Sequence, residues 1–503
     1  MHFTLLDVVI VAVYMVISAG AGSWIGRRQS STTDYFLANR EMPWLAAAFS
    51  IVATETSVLT FISVPAVSYT RDMTFLQITF GYFTGRLLVA AIMVPRYFEG
   101  KLTTAYHFLG TRFGPKMRKT ASLTFMVTRI LADGVRLFAT AIPLAIIIKG
   151  SGLFPGLSNT EFYALSILLI GLFTIFYTYV GGIRSVIWMD VVQMIVYMSG
   201  ALLAAAIIIH DLPGGFSEVL EFGRQHGKLR WFYLGFDLPF SEYIKQPYTF
   251  FTATVAGAIF SLASHGTDQL IVQRLLTCRN KRDAQKAISL SGVMIVLQFL
   301  VFLLLGVMLF TFYQGASVDQ LGVSRADGIF PKFIVEEMPP GVSGLVVAAL
   351  FAAAMSTLSS TLSSLASATV LDIYRPLFGK HKSESELLKH SRLVTLLWGI
   401  ILIGVAVAFI GLKGTVVEVA LGIASYTYGG LLGAFLLGIF NPRASQRDAI
   451  IGFITALIAM TFFIQTVQIA WPLYTVVGSL AAILVGSATA AFMPGKMQNN
   501  HLT

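Results

Sequence analysis

Residues 341–376 read GVSGLVVAALFAAAMSTLSSTLSSLASATVLDIYRP. The run is apolar and long enough to cross a hydrocarbon core, which takes about 20 residues. Its middle third is nevertheless crowded with hydroxyls. Ser356, Ser359, Ser360, Ser363 and Ser364 recur at i, i+3, i+4, i+7 and i+8, one face of a helix, with Thr357 beside the first of them. A polar stripe inside a membrane has two readings. Small residues let helices pack closely while their hydroxyls bond a neighbour. Six hydroxyls between Ser356 and Ser363 also offer the oxygen ligands that a hard monovalent cation accepts.

Outward from this run, the whole chain has the same character. Its 503 residues are 56% hydrophobic and 12% charged, with mean hydropathy +0.75; soluble domains carry about 25% charged residues. The chain reads as an all-α polytopic membrane protein. A single cysteine, Cys278, excludes an internal disulfide framework and a multi-cysteine metal site. The net charge of +10 does not point to nucleic acid, because the cations lie in short loops between apolar runs and report topology instead.

Thirteen spans are predicted, at 5–25, 45–69, 75–98, 121–148, 161–180, 185–209, 249–273, 286–313, 343–371, 391–411, 415–440, 449–467 and 472–493. The first lacks a small-residue cleavage site and reads as a retained helix. No soluble domain is expected outside these spans. Of the Lys and Arg residues, 23 fall in the loops of one side and nine in those of the other, and three lie within spans. The positive-inside rule then predicts a cell-membrane protein with its N terminus outside and its C terminus in the cytoplasm.

Ionisable groups inside spans are expensive and by default functional. The second span places Thr54, Glu55, Thr56, Ser57 and Thr60 near its middle, with Pro65 after them. This suits an interrupted helix whose freed carbonyls line a cavity; the alternative is a kinked structural helix with Glu55 paired to a base. In the fourth span Arg129, Asp133 and Arg136 share a face. Asp133 neutralises one arginine at most, so either Glu55 or an anionic substrate answers the remaining charge, or the trio is a self-contained structural ladder. Asp190 follows the turn GGIRSVIWM at the inner end of the sixth span, where a lone acid is by default interfacial. The seventh span is interrupted by Ser261, Ser264, His265, Gly266, Thr267, Asp268 and Gln269, with unwinding expected at Gly266. His265 reads either as a proton relay or as a packing residue. Arg86 and residues 426–430 are further cavity candidates.

The two interruptions fall five spans apart, and an odd separation inverts orientation. Spans 2–6 (45–210) and 7–11 (249–440) therefore read as two five-helix inverted repeats, each opening with a broken helix, the layout in which substrate and ions bind at the midplane. Residues 1–44, the external loop 211–248 and the last two helices (441–503) would be peripheral to that single transport domain.

Five stretches carry a family resemblance. RRQSSTTDYFLANREMPWLAAAFSIVATETSVLTFISVPA (27–66), TTAYHFLGTRFG (103–114), YTYVGGIRSVIWMDVVQ (177–193), DQLIVQRLL (268–276) and the serine-rich helix ending in DIYRP match the sodium/solute symporter family in order. The chain resembles its bacterial sialic-acid transporter branch in particular. The resemblance implies a LeuT-type fold of 5+5 inverted repeats and Na+ as coupling ion, one or two per cycle. It implies a first sodium site built from the carbonyls of Ala53, Thr56 and Ala353 and the hydroxyls of Ser356 and Thr357. A second site would use Asp190, Ser356, Ser359 and Ser360. It further implies that Ser57, Thr60 and Phe75 line the substrate cavity.

Two positions depart from that branch. Glu55 stands where the branch has a carboxylate-holding threonine, and its arginine position aligns with Ala132, one turn from Arg129 and Arg136 on either side. The aromatic gate of the sugar carriers aligns with Ser264. The substrate site is therefore expected to draw on Glu55, Ser57, Thr60, Phe75, Arg129, Asp133, Arg136, Ser261 and Ser264. The expected function is sodium-coupled import of a small organic anion or zwitterion such as a sialic acid, sugar acid or monocarboxylate. A neutral sugar or amino acid, or coupling to protons, is the alternative. The expected partners are a small-molecule substrate and the lipid bilayer, with no nucleic acid and no obligate protein partner. A sensor is disfavoured because no output domain follows the last span, and an enzyme because no nucleophile–base pair, metal-ligand cluster or phosphate loop is present.

Overall fold

The computed structural model describes residues 3–100, 102–150, 156–410 and 416–492. Lys101, Lys413 and Lys496, counted among the cations that set the orientation, lie outside them. Within them the chain is built from helices. In chain order the principal ones are α1 (Leu5–Ile25), α2 (Trp44–Glu55), α3 (Val58–Thr70), α4 (Leu76–Tyr97), α5 (Pro115–Gly150), α6 (Asn159–Asp211) and α7 (Ala256–Gly266). They continue as α8 (Gln269–Leu276), α9 (Lys281–Phe312), α10 (Val342–Phe378), α11 (Glu384–Ala408), α12 (Val416–Phe440), α13 (Gln446–Thr466) and α14 (Pro472–Phe492).

By length and apolarity, nine helices among the described residues can cross a membrane, ten with the bent pair α2–α3. The thirteen predicted spans exceed that number for physical reasons. At 1.5 Å per residue the 53 residues of α6 would run ~80 Å as one rod, far more than a bilayer. The helix is broken at Gly182, whose φ of 56° and ψ of −159° no L residue adopts cheaply. A Cβ there would stand 2.6 Å from the carbonyl oxygen of Tyr35. Buried charges lower the apolarity of α5, and α7–α8 is split into short pieces. With α6 taken as two limbs and these two added, each predicted segment falls on a helix.

The helix ends are written in the sequence. Asn280, Ser383 and Asp268 accept from backbone N–H groups in the first turns of α9, α11 and α8. Both predicted interruptions are breaks between helices. α2 stops at Glu55 and α3 leaves at 66° after Thr56 and Ser57; α7 stops at Gly266 and α8 starts at Gln269.

The serine-rich helix α10 is the axis of the molecule. From Ser343 to Ser367 every residue but Leu345 is buried, and it packs along α6, α1 and α11. Close helix approach depends on glycine elsewhere: a Cβ on Gly81 or Gly85 of α4 would come within 2.6 and 2.3 Å of α7 and its N-terminal turn.

α1 is less peripheral than the sequence reading has it. Asp7 is fully buried, and its Oδ1 accepts from the N–H groups of Gly341 and Gly344 at 2.7 Å each. It thus caps the N terminus of α10. Asp7→Ala is expected to cost about 1–2 kcal/mol, read as a lower unfolding temperature in detergent.

Candidate functional site

Where α2 ends, the carbonyls of its last turn lose their helical partners. They face α10 at the level of its hydroxyls. Thr357 Oγ1 lies 3.1 Å from Ala353 O and 3.4 Å from Thr56 O. Ser356, one residue earlier, donates to Asp190 Oδ1 at 2.6 Å. Thr56 is itself held, donating to Val52 O at 2.9 Å and accepting from Gln298 Nε2 at 2.6 Å. Ala53, Thr56, Ala353, Ser356 and Thr357 are all buried. The five residues expected to hold a first cation therefore come from the end of α2 with the break that follows it and from the middle of α10, and Thr357 joins the two through Thr56 O and Ala353 O.

Asp190 is fully buried, which corrects the expectation of an interfacial acid. Its Oδ2 accepts from Ser50 Oγ and from Arg274 at 3.0 Å. Arg274 also donates to Ser50 Oγ at 2.7 Å and to Ser360 Oγ. By sequence Arg274 counts as a loop cation; it is fully buried instead, because α8 carries it inward against Asp190. Ser359 donates to Ser356 O at 3.1 Å. Of the expected second cation site, Ser356 thus bonds Asp190 directly, Ser360 bonds the Arg274 that pairs with it and Ser359 bonds the Ser356 carbonyl, so the carboxylate already has a guanidinium partner.

Next to these lies a cavity of about 250 Å3 between the two broken helices. Seven of the nine expected substrate residues line it: Glu55, Ser57, Thr60, Phe75, Arg129, Arg136 and Ser264. Two do not. Asp133 stands behind the wall, accepting from Thr361 Oγ1 at 2.7 Å. Ser261 is buried where α7 meets α4, donating to Tyr82 O at 3.0 Å.

The charge balance of the wall also differs from expectation. Arg129 donates to Asp268 Oδ2 and to Tyr428, and lies 3.4 Å from Asp133; Arg136 lies 3.6 Å from Asp133. Two arginines face two aspartates, and Asp268 supplies the charge expected from Glu55 or a substrate. Glu55 is instead paired with the buried Arg86 and lies 3.1 Å from His265 Nε2. Arg136 is the least engaged cation, with a single shared carboxylate and a side chain 24% exposed.

Tyr428, within the 426–430 stretch read as a cavity candidate, lines the cavity beside Phe75. Sequence reading missed the rest of the aromatic wall: Tyr82, Tyr248, Phe260, Phe299 and Trp471. Phe75 stacks on Phe299 at 5.5 Å, and Phe260 meets Trp471 edge-on at 5.1 Å. Trp471 comes from the linker between α13 and α14, so the hairpin read as peripheral reaches the site. An aromatic residue in an apolar chain carries no signal of its own; only the packing of α14 on α12 and α7 reveals it.

Comparison with known proteins places this geometry. The model of the Sodium:solute symporter family matches residues 35–456. The sodium/sialic acid symporter NanT of Aliivibrio fischeri is 29% identical over 99% of this chain and 96% of its own. The sodium/sialic acid symporter SiaT of Proteus mirabilis is 30% identical over 96% and 94%. A solved structure of a substrate-bound, outward-open Na+-coupled sialic acid symporter superposes with a TM-score of 0.85 at 29% identity, covering 98% of this chain and 99% of that one.

Proposed function

This chain belongs to the sodium:solute symporter family, and from that premise we propose that it imports a small organic acid or zwitterion with sodium by alternating access. It has the LeuT-type fold, it is integral to the membrane, and Na+ is its coupling ion. On this reading it is a carrier and not an enzyme, with its N terminus outside, its C terminus in the cytoplasm, and repeats over 45–210 and 249–440.

The observation that carries the substrate class is Arg136. Its guanidinium lines the cavity with only a shared carboxylate at 3.6 Å, which leaves donors free for a bidentate contact to a substrate acid. The hydroxyls of Ser57, Thr60 and Ser264 are its polar company in the same cavity. That the relatives just described are named for sialic acid, itself a carboxylic acid, supports the class but not the compound, since Glu55 and Ala132 alter the positions by which that branch holds its carboxylate.

The first sodium is assigned to Ala53, Thr56, Ala353, Ser356 and Thr357, and a second to Asp190, Ser356, Ser359 and Ser360, sharing Asp190 with Arg274. Sodium bound across α2 and α10 favours whichever conformation brings them together, by the difference in its affinity for the two states. Substrate must then tighten sodium binding by the same factor. The inward potential adds about 2.3 kcal/mol per charge per 100 mV, so a second ion would steepen accumulation.

The test is uptake into proteoliposomes of labelled sialic acids, sugar acids, monocarboxylates, amino acids and neutral sugars, with and without an inward sodium gradient. A sodium-driven hit among the acids is expected, and Arg136→Gln should lower its uptake roughly tenfold or more, because it removes a charge-assisted hydrogen bond to the substrate carboxylate. A sodium-driven hit among neutral sugars alone would favour the second reading, for which the electroneutral, aromatic wall is the argument. Uptake steep in pH and indifferent to sodium would point to the Glu55–His265 pair and overturn sodium coupling.

A further inference from the structure

A second concavity lies away from the transport path, at the end of α1. It has a volume of about 470 Å3 and is lined by Trp24, Arg27, Arg28, Gln29, Asp34 and Arg184, among others. Arg184 is taken, lying 3.2 Å from Glu41 and 3.7 Å from Asp34. Arg27 and Arg28 are exposed, and among the described residues neither has a carboxylate within 4.0 Å. Gln29 brings in a fourth arginine, accepting from Arg392 at 3.1 Å. Four arginines therefore face two acids, a local excess of two positive charges.

The location decides what such an excess would hold. α1 turns an outer face of Leu5, Leu6, Val9, Val13, Val16 and Ile17 away from the protein, each at least 49% exposed, which in a membrane is a face toward acyl chains. Trp24 continues that face at 65% exposure, and Arg27 sits 5.5 Å over its ring. A tryptophan marks the boundary between hydrocarbon and water. The pocket thus opens where a lipid's chains would run along α1 and its phosphate would meet two free guanidinium groups, whose planar donors match phosphate oxygens. A basic pocket beside membrane helices at the interface suits an anionic headgroup.

We propose that the pocket at the end of α1 binds the headgroup of an anionic phospholipid, with Arg27 and Arg28 on its phosphate and Trp24 against its glycerol and upper chains. The assignment is independent of what the central cavity transports.

The full-length protein in detergent would be titrated with dioleoyl phosphatidylglycerol, dioleoyl phosphatidylcholine or inorganic phosphate, reading lipid adducts by native mass spectrometry and the unfolding temperature in parallel. Phosphatidylglycerol is expected to bind and raise the unfolding temperature, phosphatidylcholine and inorganic phosphate to do neither. Arg27→Ala/Arg28→Ala should weaken phosphatidylglycerol binding roughly twentyfold. Arg279→Ala/Arg282→Ala, which removes the same charge from another exposed site at the start of α9, should leave it unchanged. Equal binding of the two lipids, equal loss in both double variants, or an equal response to inorganic phosphate would each overturn the proposal. If the alanine double variant is recovered unfolded, Arg27→Gln/Arg28→Gln carries the same test with the same outcomes.

Discussion

Arg274→Ala is expected to destabilise the protein by about 3–5 kcal/mol, because it leaves the fully buried Asp190 carboxylate without its counter-charge. The same change strips a donor from Ser50 and from Ser360. Thermal unfolding in detergent measures it. The double variant Arg274→Met/Asp190→Asn should recover a large part of the loss, since the cost of the single change lies mainly in the orphaned charge and not in the missing attraction. A single variant as stable as the parent would mean that water reaches Asp190 or that a cation replaces the guanidinium. Sodium distinguishes these two: if an ion takes the place of Arg274, the variant's unfolding temperature rises with sodium more steeply than the parent's.

Thr357→Ala is the second large effect. Loss of groups that merely orient metal ligands costs 10- to 100-fold in affinity, and a direct ligand should cost at least as much. The sodium concentration for half-maximal uptake is therefore expected to rise by roughly ten- to a hundredfold, with stability little changed because the Thr357 hydroxyl bonds only backbone carbonyls, Ala353 O in α10 and Thr56 O just past α2. Ser359→Ala provides the contrast. If two ions bind, it should turn a sigmoidal sodium dependence toward a hyperbolic one while leaving the first site in place. If Thr357→Ala left sodium activation unchanged, the assignment of the first site would be withdrawn.

What the sequence by itself determined is the part carried by local periodicity and composition. The hydroxyl stripe of 356–364, the polar interruptions at 53–57 and 261–269 and the placement of most cations in loops are each legible within a few dozen residues. They follow from the 3.6-residue repeat and from the cost of breaking helical hydrogen bonds in hydrocarbon. Together with the ordered motifs they led to the class, the broken helices and the face on which a cation would sit.

Tertiary structure alone decided which charges meet. Arg129 is 139 positions from Asp268, Arg274 is 84 from Asp190, and Arg86 is 31 from Glu55; periodicity says which face a charge occupies but not which helix packs on that face. For that reason Arg274 read as a loop cation, Glu55 as a partner of either the α5 arginines or an unnamed basic neighbour, and Trp471 as part of a peripheral hairpin. An ion pair in low dielectric is settled by a few ångströms of separation, and those ångströms are fixed by how α5, α8, α10 and α14 assemble.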